Sequence, residues 1–284
     1  MNKPRFSLNS SHLKILAMII ILIDHLGLFF VSPYGNTESL YFIMRGIGRL
    51  GFPLYAFFIV EGVIYTRNIK SYLLKLLGLT LLITGVQAIL LYTPLNQLYT
   101  LDAAFNIFLT LFTGAATVAY FHLKKYRHVY LLIPLVLMMT TNVLAIFIKG
   151  DWQMVFVNEY GIYGIITILG FYLARRLTPT VQANLISNNQ VSRPSLTSAE
   201  YTQKTNNYLS CISLLFINLV WYILSITSEL VPFDGFQSYA LFTGILLLMY
   251  NGKRGYQPIW FRWVYYLYYP LHLGLLAVIS ILIS

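Results

Sequence analysis

Charged residues are scarce in this chain. Only 10% of its 284 residues are Asp, Glu, Lys or Arg, whereas about a quarter of an ordinary soluble domain is charged. Hydrophobic residues make up 58%, and a single soluble core could not bury that much apolar surface. Apolar runs of about twenty residues, the length that crosses a bilayer as a helix, recur along the chain. The composition therefore predicts an all-α, multi-pass protein of the cell (cytoplasmic) membrane.

Cysteine is nearly absent as well. Cys211 is the single cysteine, which excludes a disulfide within the chain and any cysteine-based metal site, and we expect no metal. The net charge of +10 is consistent with Lys and Arg in the loops between membrane helices. Such helices leave no room for a DNA-binding module. We therefore expect the lipid bilayer, and no nucleic acid, as a partner.

The hydrophobic runs predict about nine transmembrane helices. They are placed at residues 13–31, 42–66, 71–92, 103–121, 129–148, 158–174, 208–228, 236–250 and 264–283. In membrane proteins, Lys and Arg accumulate in cytoplasmic loops. If the N-terminus of this chain is inside and the C-terminus is outside, nearly all of its Lys and Arg residues lie on the cytoplasmic side. The exceptions are Arg45, Arg49 and Lys149. The basic residues therefore indicate topology.

One polar segment interrupts the hydrophobic pattern. Residues 175–207 are rich in Ser, Thr, Asn and Gln and poor in apolar side chains. Such a composition is typical of a flexible linker, and the charge rule places it in the cytoplasm. We predict one transmembrane domain over residues 1–284, with this linker between its sixth and seventh helices.

Asp24 and His25 stand side by side in the apolar run of the first predicted helix. A charge at the bilayer centre costs about 2.5–3.5 kcal/mol on insertion scales, so such residues must face a partner or a watery cavity. One interpretation is a buried structural pair that closes onto an arginine. The other is functional, because imidazole is the natural proton carrier near neutral pH.

The stretch RGIGRLGFP, residues 45–53, carries two arginines near the start of the second predicted helix. Arg45 and Arg49 are four residues apart and share one helix face, where like charges repel unless an anion lies between them. Gly46, Gly48 and Gly51 remove bulk beside them, so another helix or a ligand can approach closely. An anion site is one interpretation, and two arginines reaching the membrane interface is the other.

Other polar positions lie within or beside predicted spans. Asn106 and Thr110 share a helix face, where hydrogen bonds between helices are the alternative to a ligand contact. Glu61 lies close to the inner end of its helix, and Pro270 is expected to bend the last helix so that His272 turns inward. Two further residues open the sixth helix and could line an outer cavity, Glu159 and Tyr160.

The order of these motifs resembles the TraX family. LKILAMIIILIDHLG is followed by RGIGRLGFPLYAFFIVEGVIYTRN, FNIFLT, EYGIYGI and YYLYYPLHL. The likeness covers residues 13–174 and 262–280. It implies membrane-embedded acyl transfer, since TraX proteins are named for acetylation of pilin subunits and are similar to the acyltransferase-3 and heparan-glucosaminide acetyltransferase group, which uses acetyl-CoA.

The resemblance also implies roles for the residues already singled out. His25 takes the family's histidine position as the base, with Asp24 as the acid that orients it. Arg45 and Arg49 take the arginine positions, and with Asn106 and Thr110 they are predicted to contact acetyl-CoA. The predicted contacts to the acceptor substrate are His272, Glu61, Glu159 and Tyr160.

The resulting hypothesis is an acetyltransferase that uses cytosolic acetyl-CoA as acyl donor. Its acceptor would be an amine or hydroxyl at the outer face, on a pilin-like peptide or a cell-surface glycan. An acyl thioester is already activated, so the protein needs a base for the nucleophile and donors for the oxyanion. The alternative is a proton-coupled transporter or channel in which Asp24, His25 and His272 relay protons.

Overall fold

The computed structural model describes residues 7–91, 106–147, 160–188, 198–227 and 235–283. Within these ranges every regular element is helical, and one isolated bridge pairs Leu8 with Tyr250. The α-helices are α1 (Ser10–Phe30), α2 (Glu38–Gly48), α3 (Gly51–Tyr65), α4 (Ile69–Leu91), α5 (Ile107–Leu123), α6 (Ile133–Phe147), α7 (Gly161–Asn188), α8 (Ala199–Thr227), α9 (Thr243–Leu248) and α10 (Ile259–Ile283). Further 3-10 helices lie at Gly35–Thr37, Tyr126–Leu132 and Gly235–Phe242. The predicted all-α fold is confirmed.

In the part of the chain that the structure describes, five helical segments are long and apolar enough to cross a membrane. Among the described residues they are Ser10–Phe30, Gly35–Tyr65, Ile69–Ile89, Ala199–Thr227 and Ile259–Ser280. Large apolar side chains cover their outward faces, such as Ile212 and Phe216 of α8, and lipid accepts such faces where water does not. The all-helical fold with these apolar helices is compatible with a membrane protein. The number of nine spans and their orientation stay predictions.

The predicted helix over residues 42–66 is two helices in the structure. α2 ends at Gly48 and α3 begins at Gly51, with a turn between them. Proline has no N–H, so Pro53 leaves the carbonyl of Arg49 without a helical donor, and glycine lowers helix stability further. These two effects explain why the helix is interrupted at this point.

Much of the polar segment 175–207 is helical, which differs from the predicted flexible linker. α7 continues to Asn188, and α8 already begins at Ala199. The side-chain amide of Gln182 donates to the hydroxyl of Thr202 at 3.1 Å, so polar groups of the two helices bind each other. Residues 189–197 lie outside the described ranges, and the cytoplasmic location stays a prediction.

The chain divides into two compact units, Met1–Leu54 with Gly170–His272, and Tyr55–Leu169 with Leu273–Ser284. In the first unit α1 packs on α2, and α8 packs on α9. A Cβ on Gly170 of α7 would overlap Ser213 of α8, so these two helices also pack closely.

The start of α1 is fastened to the chain segment that precedes α10. Asn9 caps α1 by accepting a hydrogen bond from the backbone N–H of His12 at 3.0 Å. The hydroxyl of Ser11 lies within hydrogen-bond distance of two carbonyls, 3.1 Å from Arg254 and 2.7 Å from Tyr256. These contacts anchor together the two helices that carry the buried histidines of the first unit.

In the second unit α5 packs against α4 and α6. The hydroxyl of Thr80 lies 3.0 Å from the carbonyl of Phe108, and the side-chain amide of Asn106 donates back to the carbonyl of Thr80 at 3.1 Å. A Cβ on Gly62 would overlap Tyr72, which shows how closely α3 lies against α4. Neutral polar groups therefore join the helices of this unit.

Candidate active site

Helix α1 buries two neighbouring ionisable side chains. Asp24 is 8% exposed and His25 is 5% exposed. Consecutive residues of an α-helix point about 100° apart, so the two side chains meet different neighbours. Asp24 meets a residue of α2, whereas His25 meets a residue of α10.

Asp24 forms a buried ion pair with Arg45. Nη1 of Arg45 lies 2.9 Å from Oδ1 of Asp24, and both side chains are largely buried. Arg45 is in the last turn of α2, where the helix dipole favours a positive charge. This contact has the geometry of the structural interpretation, in which Asp24 closes onto an arginine. It also makes the two charges compatible with an apolar surrounding.

Glycines allow α1 and α2 to come this close. A Cβ on Gly48 would overlap Asp24, including the Cβ of that residue. A Cβ on Gly51 would lie 2.8 Å from Cγ1 of Ile21, which is closer than side chains approach each other. The predicted close approach beside the arginines is confirmed, and the group that approaches Gly48 is the carboxylate of the site.

Arg49 immediately follows the last residue of α2. Its backbone N–H lies 3.3 Å from the carbonyls of both Arg45 and Gly46. The sequence predicted that the two arginines lie at the start of a helix. In the structure they lie at the end of α2, because the long predicted helix is interrupted there. The positive charges of the Arg45 and Arg49 guanidinium groups both act on the imidazole of His25. Two positive charges therefore accompany the single carboxylate of Asp24.

His25 makes its buried contact with His272 of α10. Nδ1 of His25 lies 2.5 Å from Nε2 of His272. The ring centroids are 4.8 Å apart and the ring planes differ by 21°, so the rings are nearly coplanar with the two nitrogens between them. This is the arrangement that an N–H···N hydrogen bond requires. His272 is 7% exposed, as expected from its predicted inward orientation.

Backbone and tyrosine rings surround the second histidine. Nδ1 of His272 lies 2.7 Å from the backbone carbonyl of Tyr268, one turn earlier on α10. The Tyr268 ring stacks on His272 with centroids 4.6 Å apart, and the edge of Tyr269 meets both imidazoles at 5.6 and 5.7 Å. These contacts hold the plane of each imidazole ring.

These five side chains are called the His25 cluster: Asp24, His25, Arg45, Arg49 and His272. Nε2 of His25 has no hydrogen bond to any described residue, and Oδ2 of Asp24 lies 3.9 Å away, beyond hydrogen-bond range. Asp24 therefore makes no direct hydrogen bond to His25, and its predicted role in orienting the imidazole stays a prediction. The cluster combines groups that move a proton with groups that hold negative charge.

Asn106 and Thr110 belong to the second unit. Asn106 is fully buried and caps α5 by accepting from the N–H of Leu109 at 3.3 Å. Its amide donates to the carbonyl of Thr80 at 3.1 Å and to the hydroxyl of Thr84 at 3.0 Å. Hydrogen bonds between helices were the alternative role for this residue. A contact of either residue with acetyl-CoA stays a prediction.

The other predicted acceptor contacts are less informative. Glu61 is half-buried on α3, and Tyr160 is half-buried just before α7, where its carbonyl accepts from the N–H of Gly164 at 2.8 Å. Glu159 lies outside the described residues. Within the described part of the chain, no group of three or more His, Cys, Asp or Glu could hold a metal ion.

Comparison with known proteins shows the family. A family model described as TraX protein matches residues 9–280. The chain belongs to the TraX family. It is also 27% identical over 272 residues to the "probable fimbrial assembly protein FimC, serogroup H1" of Dichelobacter nodosus, an alignment that covers 93% of each chain. No solved structure matches the chain.

Sequence reasoning brought His25 and His272 together only in the transporter alternative, and the acetyltransferase hypothesis gave the two histidines separate roles. The two residues are 247 positions apart, so no local pattern connects them. A signal was nevertheless present, because each histidine stands in an apolar segment. Buried polar groups in a membrane pair with one another, and two such histidines are natural partners.

Proposed function

We propose that this protein is a membrane-embedded acetyltransferase that moves an acetyl group from acetyl-CoA to an amine or hydroxyl. The observation that carries the proposal is the buried imidazole pair of His25 and His272 beside the Asp24–Arg45 ion pair. Apolar side chains would pack these helices at a lower desolvation cost. Ionisable groups kept in membrane helices are functional by default.

His25 is the base of the proposed reaction. It takes the proton of the acceptor amine or hydroxyl while the acceptor nitrogen or oxygen bonds to the acetyl carbon. It then gives that proton to the departing thiolate of coenzyme A as the carbon–sulfur bond breaks. The proton balance closes in each turnover, so no external acid is required.

The arginines are suited to the negative charge that develops on the acetyl oxygen. Arg45 is bound to Asp24, and a carboxylate oxygen of Asp24 is 3.9 Å from the His25 ring. The guanidinium of Arg45 thus lies near the proposed base, where the reacting carbonyl would be. A guanidinium has five N–H donors, more than one carboxylate can accept. Electrostatic stabilisation of an oxyanion by such donors is a large catalytic effect.

A pilin-like peptide is the acceptor that the comparisons favour. The relative from Dichelobacter nodosus is named a fimbrial assembly protein, and the resemblance to TraX proteins, which are named for acetylation of pilin subunits, implies the same kind of acceptor. The neutral α-amine of such a peptide is a nucleophile, and it loses one proton to His25 as the amide bond forms. A cell-surface glycan hydroxyl is the second candidate acceptor, because the same base would activate it.

The test uses the purified full-length protein in lipid vesicles with radiolabelled acetyl-CoA. Acceptors are a pilin-like peptide with a free α-amine, the same peptide with that amine blocked, and a surface glycan. We expect label on the free-amine peptide, an equal amount of free coenzyme A thiol, and no label on the blocked peptide. If no coenzyme A thiol is released with any of these acceptors and protons cross the vesicle membrane, the transporter is favoured instead.

The proposed orientation places acetyl-CoA and the acceptor on opposite sides. In a Cys211→Ser background, cysteines are introduced separately at Asn36 and Ser187, both exposed residues. An impermeant thiol reagent should label the Asn36 variant in intact cells and the Ser187 variant only after lysis. Labelling of both in intact cells would contradict the proposed orientation.

A further inference from the structure

The hydrogen positions in the histidine pair follow from one backbone group. A carbonyl oxygen can only accept, so Nδ1 of His272 must carry the hydrogen that it donates to Tyr268. Nε2 of a neutral His272 is then bare and can only accept. Nδ1 of His25, 2.5 Å away, must therefore be the donor.

This chain of donors fixes the state of the other nitrogen of His25. A neutral imidazole carries a single N–H, so a hydrogen on Nδ1 leaves Nε2 with its lone pair. Nε2 has no hydrogen bond to the described residues, and Oδ2 of Asp24 lies 3.9 Å from it. Nε2 is therefore the atom of His25 that remains able to accept a proton.

We propose that His272 is the positioning residue for the base. Through the Tyr268 carbonyl it holds His25 as the Nδ1–H tautomer, so that Nε2 is always the proton-accepting atom. This inference deepens the proposed function and rests on it. His272 thus has the orienting role that a carboxylate has in a catalytic triad, while Asp24 compensates Arg45. The hydrogen bond at one imidazole nitrogen sets the state of the other.

The tautomer is tested without any substrate. The full-length protein is labelled with ¹⁵N-histidine, placed in lipid, and examined by solid-state NMR over a pH series that reaches neutral imidazoles. Signals of His25 and His272 are assigned from their loss in His25→Gln and His272→Gln. We expect both rings as Nδ1–H tautomers. A neutral His25 with its hydrogen on Nε2 would overturn the proposal.

The role in catalysis is tested with two variants of His272. His272→Gln places an amide oxygen where Nε2 was and still accepts from His25, whereas His272→Leu has no acceptor. We expect His272→Leu to lower kcat at least about tenfold with little change in the KM for acetyl-CoA, because the base loses its tautomer. His272→Gln should recover a large part of that loss.

Two outcomes would overturn this role. One is a wild-type kcat in His272→Leu. The other is an equal loss of kcat in His272→Leu and His272→Gln, provided that both variants melt at the wild-type temperature. His12→Gln, an exposed histidine substitution on the same helix as His25, controls for the handling of variants. If the wild-type protein transfers no acetyl group, the proposed function fails, and the NMR result still decides the tautomer.

Discussion

Two buried polar clusters in this protein are built on different principles. The His25 cluster of the first unit contains one carboxylate, two guanidinium groups and two imidazoles. The Asn106 cluster of the second unit, formed by Thr80, Thr84 and Asn106, contains only neutral groups that hydrogen-bond between helices. The Asn106 cluster shows that neutral hydrogen-bonding groups are enough to join helices in this chain. The ionisable groups of the His25 cluster are more than that purpose requires.

The two clusters differ in how many of their hydrogen-bond donors and acceptors are already engaged. In the Asn106 cluster, the carbonyl oxygen and both hydrogens of the Asn106 amide are engaged at 3.0 to 3.3 Å. In the His25 cluster, Nε2 of His25 is engaged by no hydrogen bond to the described residues. Burial of a polar group is therefore not sufficient to indicate function. A buried titratable group with a lone pair to spare is a stronger indication.

The largest stability effect is expected from the ion pair. Asp24→Asn or Arg45→Gln should each lower the free energy of unfolding by about 3–5 kcal/mol, because each removes one charge of a buried ion pair and keeps the other. The double variant should cost less than the sum of the two, since it removes both charges together. Unfolding in detergent, followed by circular dichroism, measures all three. Simple additivity would mean that the two residues do not interact.

A smaller loss is expected where α1 and α2 touch. Gly48→Ala adds a Cβ that would overlap Asp24 as far as its Cβ, so a rotamer change cannot relieve the overlap. We expect a loss of about 1–3 kcal/mol. Gly78→Ala on α4 is the matched control, because a Cβ there meets nothing within 4 Å. It should be neutral or slightly stabilising. Equal effects in both variants would contradict the close contact.

The smallest effect is expected in the Asn106 cluster. Thr80→Val keeps the shape of the side chain and removes the hydroxyl that lies 3.0 Å from the carbonyl of Phe108. We expect a loss of about 1 kcal/mol of stability with acetyl transfer unchanged per folded molecule. The measurement pairs a thermal melt with the vesicle assay. A marked fall in kcat would show that this cluster also takes part in the reaction.

Sequence reasoning reached the elements that depend on local pattern. The first predicted helix, 13–31, corresponds to Ser10–Phe30, because its apolar run and the cap at Asn9 are continuous in sequence. The close approach at Gly48 was also predictable, since glycine beside a charge in a span has few other uses. The interruption before Pro53 could have been read from that proline and was not.

The rest depended on contacts that no local pattern reveals. The pairing of His25 with His272 joins residues 247 positions apart. The helical state of residues 175–188 was hidden because their polar side chains suggested solvent, whereas Gln182 binds Thr202 of the next helix. In both cases tertiary contacts decided the outcome, and composition alone indicated something else.

The most direct test of the account compares two glutamine substitutions on α1. His25→Gln removes the proposed base, whereas His12→Gln makes the same change at an exposed position of that helix. Initial rates of coenzyme A thiol release and of acceptor acetylation are measured together, per folded molecule. We expect His25→Gln to lower both rates by at least about a hundredfold and His12→Gln to match wild type. Near-wild-type rates in a folded His25→Gln protein would contradict it.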